Sequence, residues 1–265
     1  MLNPYFAFKD PQTILNEMYV DNPIDVNPIE MYVLQYKTDP EAIRANVHPA
    51  FATDGEEPRV TVVFLYIKEG GLVRGGDIGI SCIMSPARWE GEQEKVDGEY
   101  VYVMPEDNNY NVMTGRDMYG ANKIVDDLPY RYIMNNGAIR CEVQQSNHVV
   151  YGIEVNGLKK CDEETAKNVQ DVLNARPFLQ YKLIVNPWGG PPDVAYPVCC
   201  PPDFRVDELW MGTEGSFYIG DLPAEMIVER HVARALKEMP VKEVYNVMKI
   251  NGNLLFKRND FRKLL

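Results

Sequence analysis

The sequence predicts an α+β fold that is mainly β, an antiparallel barrel or sandwich with a few helices. Three observations carry this. Short runs rich in Val, Ile, Tyr and Phe recur along the chain, and turn residues (19 Gly and 19 Pro) separate them. Few segments show helical spacing. An apolar content of 45% and 11% aromatics over 265 residues suit a chain that buries a sizeable core.

The elements follow in order. Residues 1–28 read as an irregular N-terminal arm, with a short helix over 9 to 20 and a Pro-rich stretch from Asn22 to Pro28. Met31 to Tyr36 is a strand. Asp39 caps a helix that has Pro40 at its first position and Glu41 in its first turn, running to about Val47. Arg59 to Ile67 is dense in Val, Phe, Leu, Tyr and Ile, as a buried strand would be. Gly70-Gly71 turns the chain into Leu72 to Met84. Glu99 to Met104 and Asn109 to Met113 are read as strands, followed by Tyr130 to Met134, Ala138 to Gln145 and Val149 to Val155. Asn135-Asn136-Gly137 is a hairpin signal. Glu163 to Asn174 is a polar helix. Phe178 to Val185, Val194 to Cys200, Phe204 to Met211 and Ser216 to Ile219 add strands. Pro223 to Lys237 has apolar residues at helical or near-helical spacing, with one more strand as the alternative at its start. Val241 to Ile250 and Leu254 to Lys257 close the chain as a hairpin about Asn251-Gly252. No linker-like shift in composition divides the sequence, so one domain over 1–265 is expected.

Net charge is −12, from 39 acidic and 27 basic residues. Such a field repels phosphate backbones and anionic lipid, which argues against nucleic acid and membrane partners. No apolar run reaches bilayer length, and the N-terminus lacks a basic region followed by an apolar stretch. A cytoplasmic location is the expectation. The five cysteines (Cys82, Cys141, Cys161, Cys199 and Cys200) form no Cys-x-x-Cys pair and suit a reducing compartment. His48, His148 and His231 are far apart in sequence, with no carboxylate or cysteine pattern that signals a metal. Gly70-Gly71 and Gly75-Gly76 lack the Gly-Lys-Ser/Thr of a phosphate loop. Trp188-Gly189-Gly190-Pro191-Pro192 reads as a rigid surface loop.

Lys123 is the residue with the clearest chemical promise. It ends the segment Gly115-Arg116-Asp117-Met118-Tyr119-Gly120-Ala121-Asn122-Lys123 and precedes Ile124 and Val125. A lysine among apolar neighbours loses hydration, which disfavours the ammonium. The free amine attacks a ketone to form an imine. The plain alternative is a solvated loop lysine.

This segment resembles the acetoacetate decarboxylase-like superfamily, whose Schiff-base lysine ends a Gly-Arg-x-x-x-x-x-x-Lys motif. Other pieces fall in family order: Tyr36-Lys37-Thr38-Asp39, Gly98-Glu99-Tyr100, Arg176-Pro177, Tyr181-Lys182-Leu183-Ile184, Glu208-Leu209-Trp210-Met211-Gly212 and Pro240-Val241-Lys242-Glu243. The resemblance implies a cone-shaped closed antiparallel β-barrel with flanking strands, a lysine inside it, no cofactor or metal, and a symmetric homo-oligomer. It also exposes departures. The family's second lysine is Ile124, its first-strand arginine is Ile29, and one of its glutamates is Val63, with the other falling near Asp77.

The expected activity is lysine-imine carbon–carbon lyase chemistry on a small oxo acid or ketone. Loss of the arginine, one glutamate and the second lysine favours the aldolase–dehydratase side. A non-typical 3-oxo acid decarboxylase and a non-catalytic ligand-binding barrel are the alternatives. Lys123, Asp77 and Tyr245 are the catalytic candidates, Asp77 as a proton carrier. Tyr119, Asn122, Arg116, Ile124, Val63 and Ile29 are the candidate substrate contacts. Arg116 also reads as a structural anchor of the lysine turn, and tyrosines are more often core than catalyst.

Overall fold

The computed structural model describes residues 24–68, 77–257 and 261–265. The helix expected over 9 to 20 and the turns at Gly70-Gly71 and Gly75-Gly76 lie outside the described residues.

Eleven strands form a large sheet: β1 (Ile24–Lys37), β2 (Arg59–Ile67), β3 (Ile78–Glu90), β4 (Lys95–Glu106), β5 (Lys123–Val125), β9 (Lys159–Lys160), β10 (Phe178–Ile184), β11 (Val194–Cys200), β12 (Phe204–Met211), β14 (Glu243–Lys257) and β15 (Arg262–Lys263). Its order is β15-β11-β10-β4-β3-β2-β1-β14-β12-β9, with β5 added on β4. A smaller sheet has the order β13-β8-β7-β6, from β6 (Tyr132–Ile133), β7 (Ile139–Gln145), β8 (His148–Asn156) and β13 (Glu214–Ile219). Four helices are described: α1 (Pro40–Asn46), α2 (Asn109–Tyr119), α3 (Glu163–Ala175) and α4 (Ile227–Lys237).

The expected closed, wholly antiparallel barrel is not what the described pairings form. They run as an open path between two-residue strands, β15 and β9, and two ladders are parallel. β4 reaches its parallel partner β5 through the helical crossover of α2, whereas its other parallel partner, β10, follows only after β5 to β9 and α3.

β1 and β2 are buried on both faces, which explains why Arg59–Ile67 does not alternate between apolar and polar. Tyr32, Leu34, Tyr36, Val62 and Phe64 pack against Val143, Val150, Tyr151 and Ile153 of the small sheet. Met31, Val33, Val63 and Leu65 face the other way, with Cys82, Met84, Met248 and Ala166. Each such large apolar side chain contributes about 1.5–3 kcal/mol by leaving water. A one-residue slip of β2 would exchange its two faces.

Three further expectations change. Asn109 to Met113 is helix, not strand, because the Asn108 side chain accepts from Asn111 N–H at 3.1 Å and caps α2. The arm over 1–28 is strand from Ile24 onward, paired with Lys257 and its neighbours. Asn251-Gly252 is not a turn, and β14 runs straight through it. A Cβ at Gly252 would stand 1.9 Å from the Arg205 carbonyl oxygen, and β12 bulges there between Val206 and Glu208. The glycine admits a close neighbouring strand.

Candidate functional site

Lys123 is delivered by the β4–α2–β5 unit. Gly120 ends α2 in a left-handed conformation (φ 71°), and its N–H and that of Ala121 close on the carbonyls of Arg116 and Gly115. The chain then extends into β5, with Lys123 beside Met104 of β4. The lysine side chain folds back over α2. A Cβ at Gly115 would lie 2.7 Å from Lys123 Cδ and 3.1 Å from Nζ, so the Gly of the Gly-Arg pair makes room for the amine.

Lys123 Nζ donates to Glu106 Oε2 at 2.5 Å and to the Asn111 carbonyl at 3.4 Å. The Glu106 side chain is 0% exposed and that of Lys123 is 14% exposed. Glu106 Oε1 is buried without a hydrogen-bond partner. Cys82 lies close by, its thiol pushed up to about 12 by burial, with the Lys123 charge opposing that shift.

The amine opens into a cavity of about 220 Å³. Near Lys123 the strand side of the wall is apolar (Val33, Val63, Ile80 and Met104), and α2 adds Asn111 and Thr114. Further along the strands Arg59 pairs with Glu99, and Arg176 Nε reaches Glu99 Oε1 at 3.0 Å. Burial pushes the Glu99 carboxyl up, against the two arginines.

Among the sequence candidates, Lys123, Val63 and Tyr119 line this cavity together. Tyr119 leans on Phe261, with ring centroids 4.2 Å apart. Ile29 is buried in the core cluster that shares Met31 and Val63, outside the cavity lining. Arg116, Asn122 and Ile124 face a second cavity of about 460 Å³ behind β5, which Lys123 and Ala121 also border. There the Asn122 amide donates to the Val101 carbonyl at 2.8 Å, and Ile124 packs against the core between the sheets. Side chains alternate along a strand, so consecutive residues 123 and 124 are directed to opposite faces. Asp77 is exposed at the entry to β3, and Tyr245 is 39% exposed at a bulge of β14 opposite Gln35 and Tyr36. Neither lines the cavity.

The carboxylate that meets the lysine is thus Glu106, which sequence reasoning missed. It ends a strand seventeen residues before Lys123, and no local pattern links the two. The strand–helix–strand connection does so only once α2 is recognised as a helix. Among the described residues, no group of three His, Cys, Asp or Glu side chains is placed to hold a metal, and no helix is long and apolar enough to cross a membrane.

The family model for acetoacetate decarboxylase matches residues 11–257. The chain belongs to the acetoacetate decarboxylase family. Solved structures of this fold include acetoacetate decarboxylase from Legionella pneumophila, with a TM-score of 0.73 and 18% identity, covering 92% of this chain and 88% of that one. The enduracididine biosynthesis enzyme MppR, complexed with the condensation product of pyruvate and imidazole 4-carboxaldehyde, aligns with a TM-score of 0.69 and 15% identity, covering 91% of this chain and 89% of that one. An acetoacetate decarboxylase-like enzyme from Sphingomonas wittichii RW1 aligns with a TM-score of 0.67 and 12% identity, covering 91% and 92%. No curated relative matches the chain by sequence. Family membership makes this chain a relative of enzymes that act on small molecules.

Proposed function

We propose that the protein is a lysine-imine carbon–carbon lyase for a small oxo acid or ketone, of the aldolase–dehydratase kind. The observation that carries this reading is the buried Lys123–Glu106 pair, 2.5 Å apart, at an apolar cavity. Such a pair moves one proton between two states, ammonium with carboxylate or amine with carboxylic acid. In the second state Nζ attacks the substrate carbonyl carbon and the carbonyl π electrons move to oxygen. The excess Nζ proton passes to that oxygen. Glu106 protonates the hydroxyl, which departs as water and leaves the iminium. The carboxylate thus regenerated removes an α-proton and gives an enamine, which attacks an aldehyde carbon. The aldehyde π electrons move to oxygen, the iminium re-forms, and Glu106 returns its proton to the alkoxide. Loss of a second α-proton with the new hydroxyl releases water. The 2.5 Å contact supports the transfer between Nζ and Glu106, because a general acid or base must lie within hydrogen-bond reach of its proton.

MppR, with pyruvate or a pyruvate–aldehyde condensation product bound, offers a precedent within the fold. A second reading, 3-oxo acid decarboxylation, draws support from Val33, Val63 and Met104, since apolar walls disfavour a carboxylate about to leave as CO₂. Incubation with pyruvate and a panel of aldehydes, and separately with 3-oxo acids, discriminates. The first reading expects condensation products. CO₂ release without any condensation would replace it by the second. Borohydride reduction in the presence of a ketone is expected to leave an adduct on Lys123. Absence of an adduct across a broad panel would leave a non-catalytic binder.

A further inference from the structure

The cavity of about 220 Å³ holds a second polar site, away from the amine. Strand registers locate it. Lys123 stands beside Met104, level with Cys82, Val63 and Val33. Two residues further along β1, β2 and β3 come Gln35, Thr61 and Met84, which pair with one another in the same layer. Gln180 on β10 joins that layer, because it follows the Leu179–Tyr100 pairing and so comes level with Val101, the partner of Met84. A two-residue step along a strand is about 6.6 Å.

Gln180 is 3% exposed and lines the cavity, yet its amide makes no hydrogen bond among the described residues. An amide that borders a cavity and has no protein partner is left to hydrogen-bond whatever fills that cavity. Thr61 lies in the same wall. Its hydroxyl oxygen accepts from Gln35 Nε2 at 3.1 Å, which leaves its proton to donate. Behind this layer Arg59 and Arg176 share Glu99, and Arg59 Nη1 is buried without a partner. Two guanidinium groups face one carboxylate inside the cavity. Glu57 and Glu56 approach the same arginines, at 3.6 and 3.0 Å, without lining it.

We propose that the substrate is an elongated oxo acid whose carboxylate is remote from the reacting carbonyl, seated on Gln180 and Thr61 with Arg59 and Arg176 behind them. The inference rests on the imine reading only for the carbonyl end. Lys123 Nζ reaches away from the Gln180 layer to Glu106, which stands level with Ile80, Leu65 and Met31. At least one strand layer of about 6.6 Å thus separates the two ends, and about four or more methylene groups fit between carbonyl and carboxylate. A 2- or 3-oxo acid cannot reach both. The strands between the two ends offer Val33, Val63 and Met84 to the methylene chain.

Two measurements test this, and they fail separately. In the first, calorimetry compares hexanoate with hexanamide, neither of which forms an imine. Wild type is expected to bind the carboxylate at least about tenfold more tightly, as a charge-assisted hydrogen bond would give. Gln180→Leu should erase that preference, and Thr61→Val, nearly the same in shape, should weaken it. In the second, borohydride trapping compares 6-oxoheptanoate with acetoacetate, and the longer acid is expected to be trapped faster. Equal binding of hexanoate and hexanamide, or a preference untouched in both variants, overturns the proposal, as does faster trapping of acetoacetate. A Gln180-dependent carboxylate preference with no ketone trapped would keep the tail site and overturn the imine reading instead.

Discussion

Glu30 and Glu106 are both buried carboxylates on the large sheet, each against a cation, and they are held in opposite ways. Glu30 Oε1 accepts from Arg131 Nε at 2.5 Å, Tyr32 at 2.6 Å and Tyr130 at 3.0 Å, and Lys68 lies 3.5 Å from Oε2. Burial alone would raise its pKa, but these hydrogen bonds, led by Arg131, hold it down to about 2. Glu106 has Lys123 on one oxygen and nothing on the other. A saturated carboxylate cannot accept a further proton donor without breaking a bond, so Glu30 is a structural joint between β1 and the segment around Tyr130 and Arg131. An incomplete one retains capacity for chemistry. Satisfaction separates the two, since burial and a cationic partner are common to both.

The largest expected effect comes from breaking the incomplete pair. Lys123→Met should abolish ketone trapping and, by leaving Glu106 buried beside no cation, lower stability by about 3–5 kcal/mol at neutral pH in urea denaturation. The double variant Lys123→Met/Glu106→Gln should recover most of that stability and none of the trapping. An equally unstable double variant would mean that Lys123 stabilises the fold by packing.

Glu30 should behave in the opposite manner. Its folded pKa lies below the ordinary 4.5, so the stabilisation is fully present above about pH 4.5 and is lost as pH falls through about 2. The shift amounts to on the order of 3 kcal/mol. Urea midpoints measured between pH 6 and pH 2 should fall more steeply in wild type than in Glu30→Gln, which should still trap ketones at neutral pH. Parallel pH profiles would show that Glu30 adds no such linkage.

Gly115→Ala sharpens the comparison further, because it crowds the amine without touching either carboxylate. The added methyl sits within 3.1 Å of Cδ, Cε and Nζ of Lys123. A displaced amine of about 1 Å should slow trapping by about 10²-fold, with the thermal midpoint nearly unchanged. An unaltered rate would mean that the lysine has free room to move.

Much of this architecture was readable from residue patterns, and the failures have physical causes. Arg59–Ile67, Val194–Cys200 and Phe204–Met211 match β2, β11 and β12 in their bounds, because β-branched and aromatic runs end at clear turn residues. Asp39-Pro40 marked the start of α1 correctly, but the Asp39 side chain pairs with Lys242 and does not cap the helix. The segment Asn109 to Met113 misled because Val112 and the aromatic Tyr110 suggested a strand, while the signal that decided it was one capping side chain, Asn108. Asn251-Gly252 misled because a glycine that admits a neighbouring backbone reads the same as one that turns. At the site, the motif pointed to Lys123 and its alignment to Val63, and both face the cavity. Ile124 had been expected to dry the amine, yet it packs into the core between the sheets on the far side of β5. Glu106 escaped notice because its relation to Lys123 exists only in three dimensions.

Glu106 is the centre of this account, and the isosteric variant Glu106→Gln tests it most directly. It keeps the shape and a hydrogen-bonding oxygen but cannot take up or release a proton at neutral pH. The measurement is the rate of borohydride-trapped adduct formation on Lys123 with a saturating ketone, with the adduct located by peptide mass mapping. The rate is expected to fall by about 10²–10⁴-fold, the range general acid–base catalysis supplies, in a protein that still folds. A Glu106→Gln protein that forms the adduct at the wild-type rate, or an adduct mapped to a lysine other than Lys123, would contradict it.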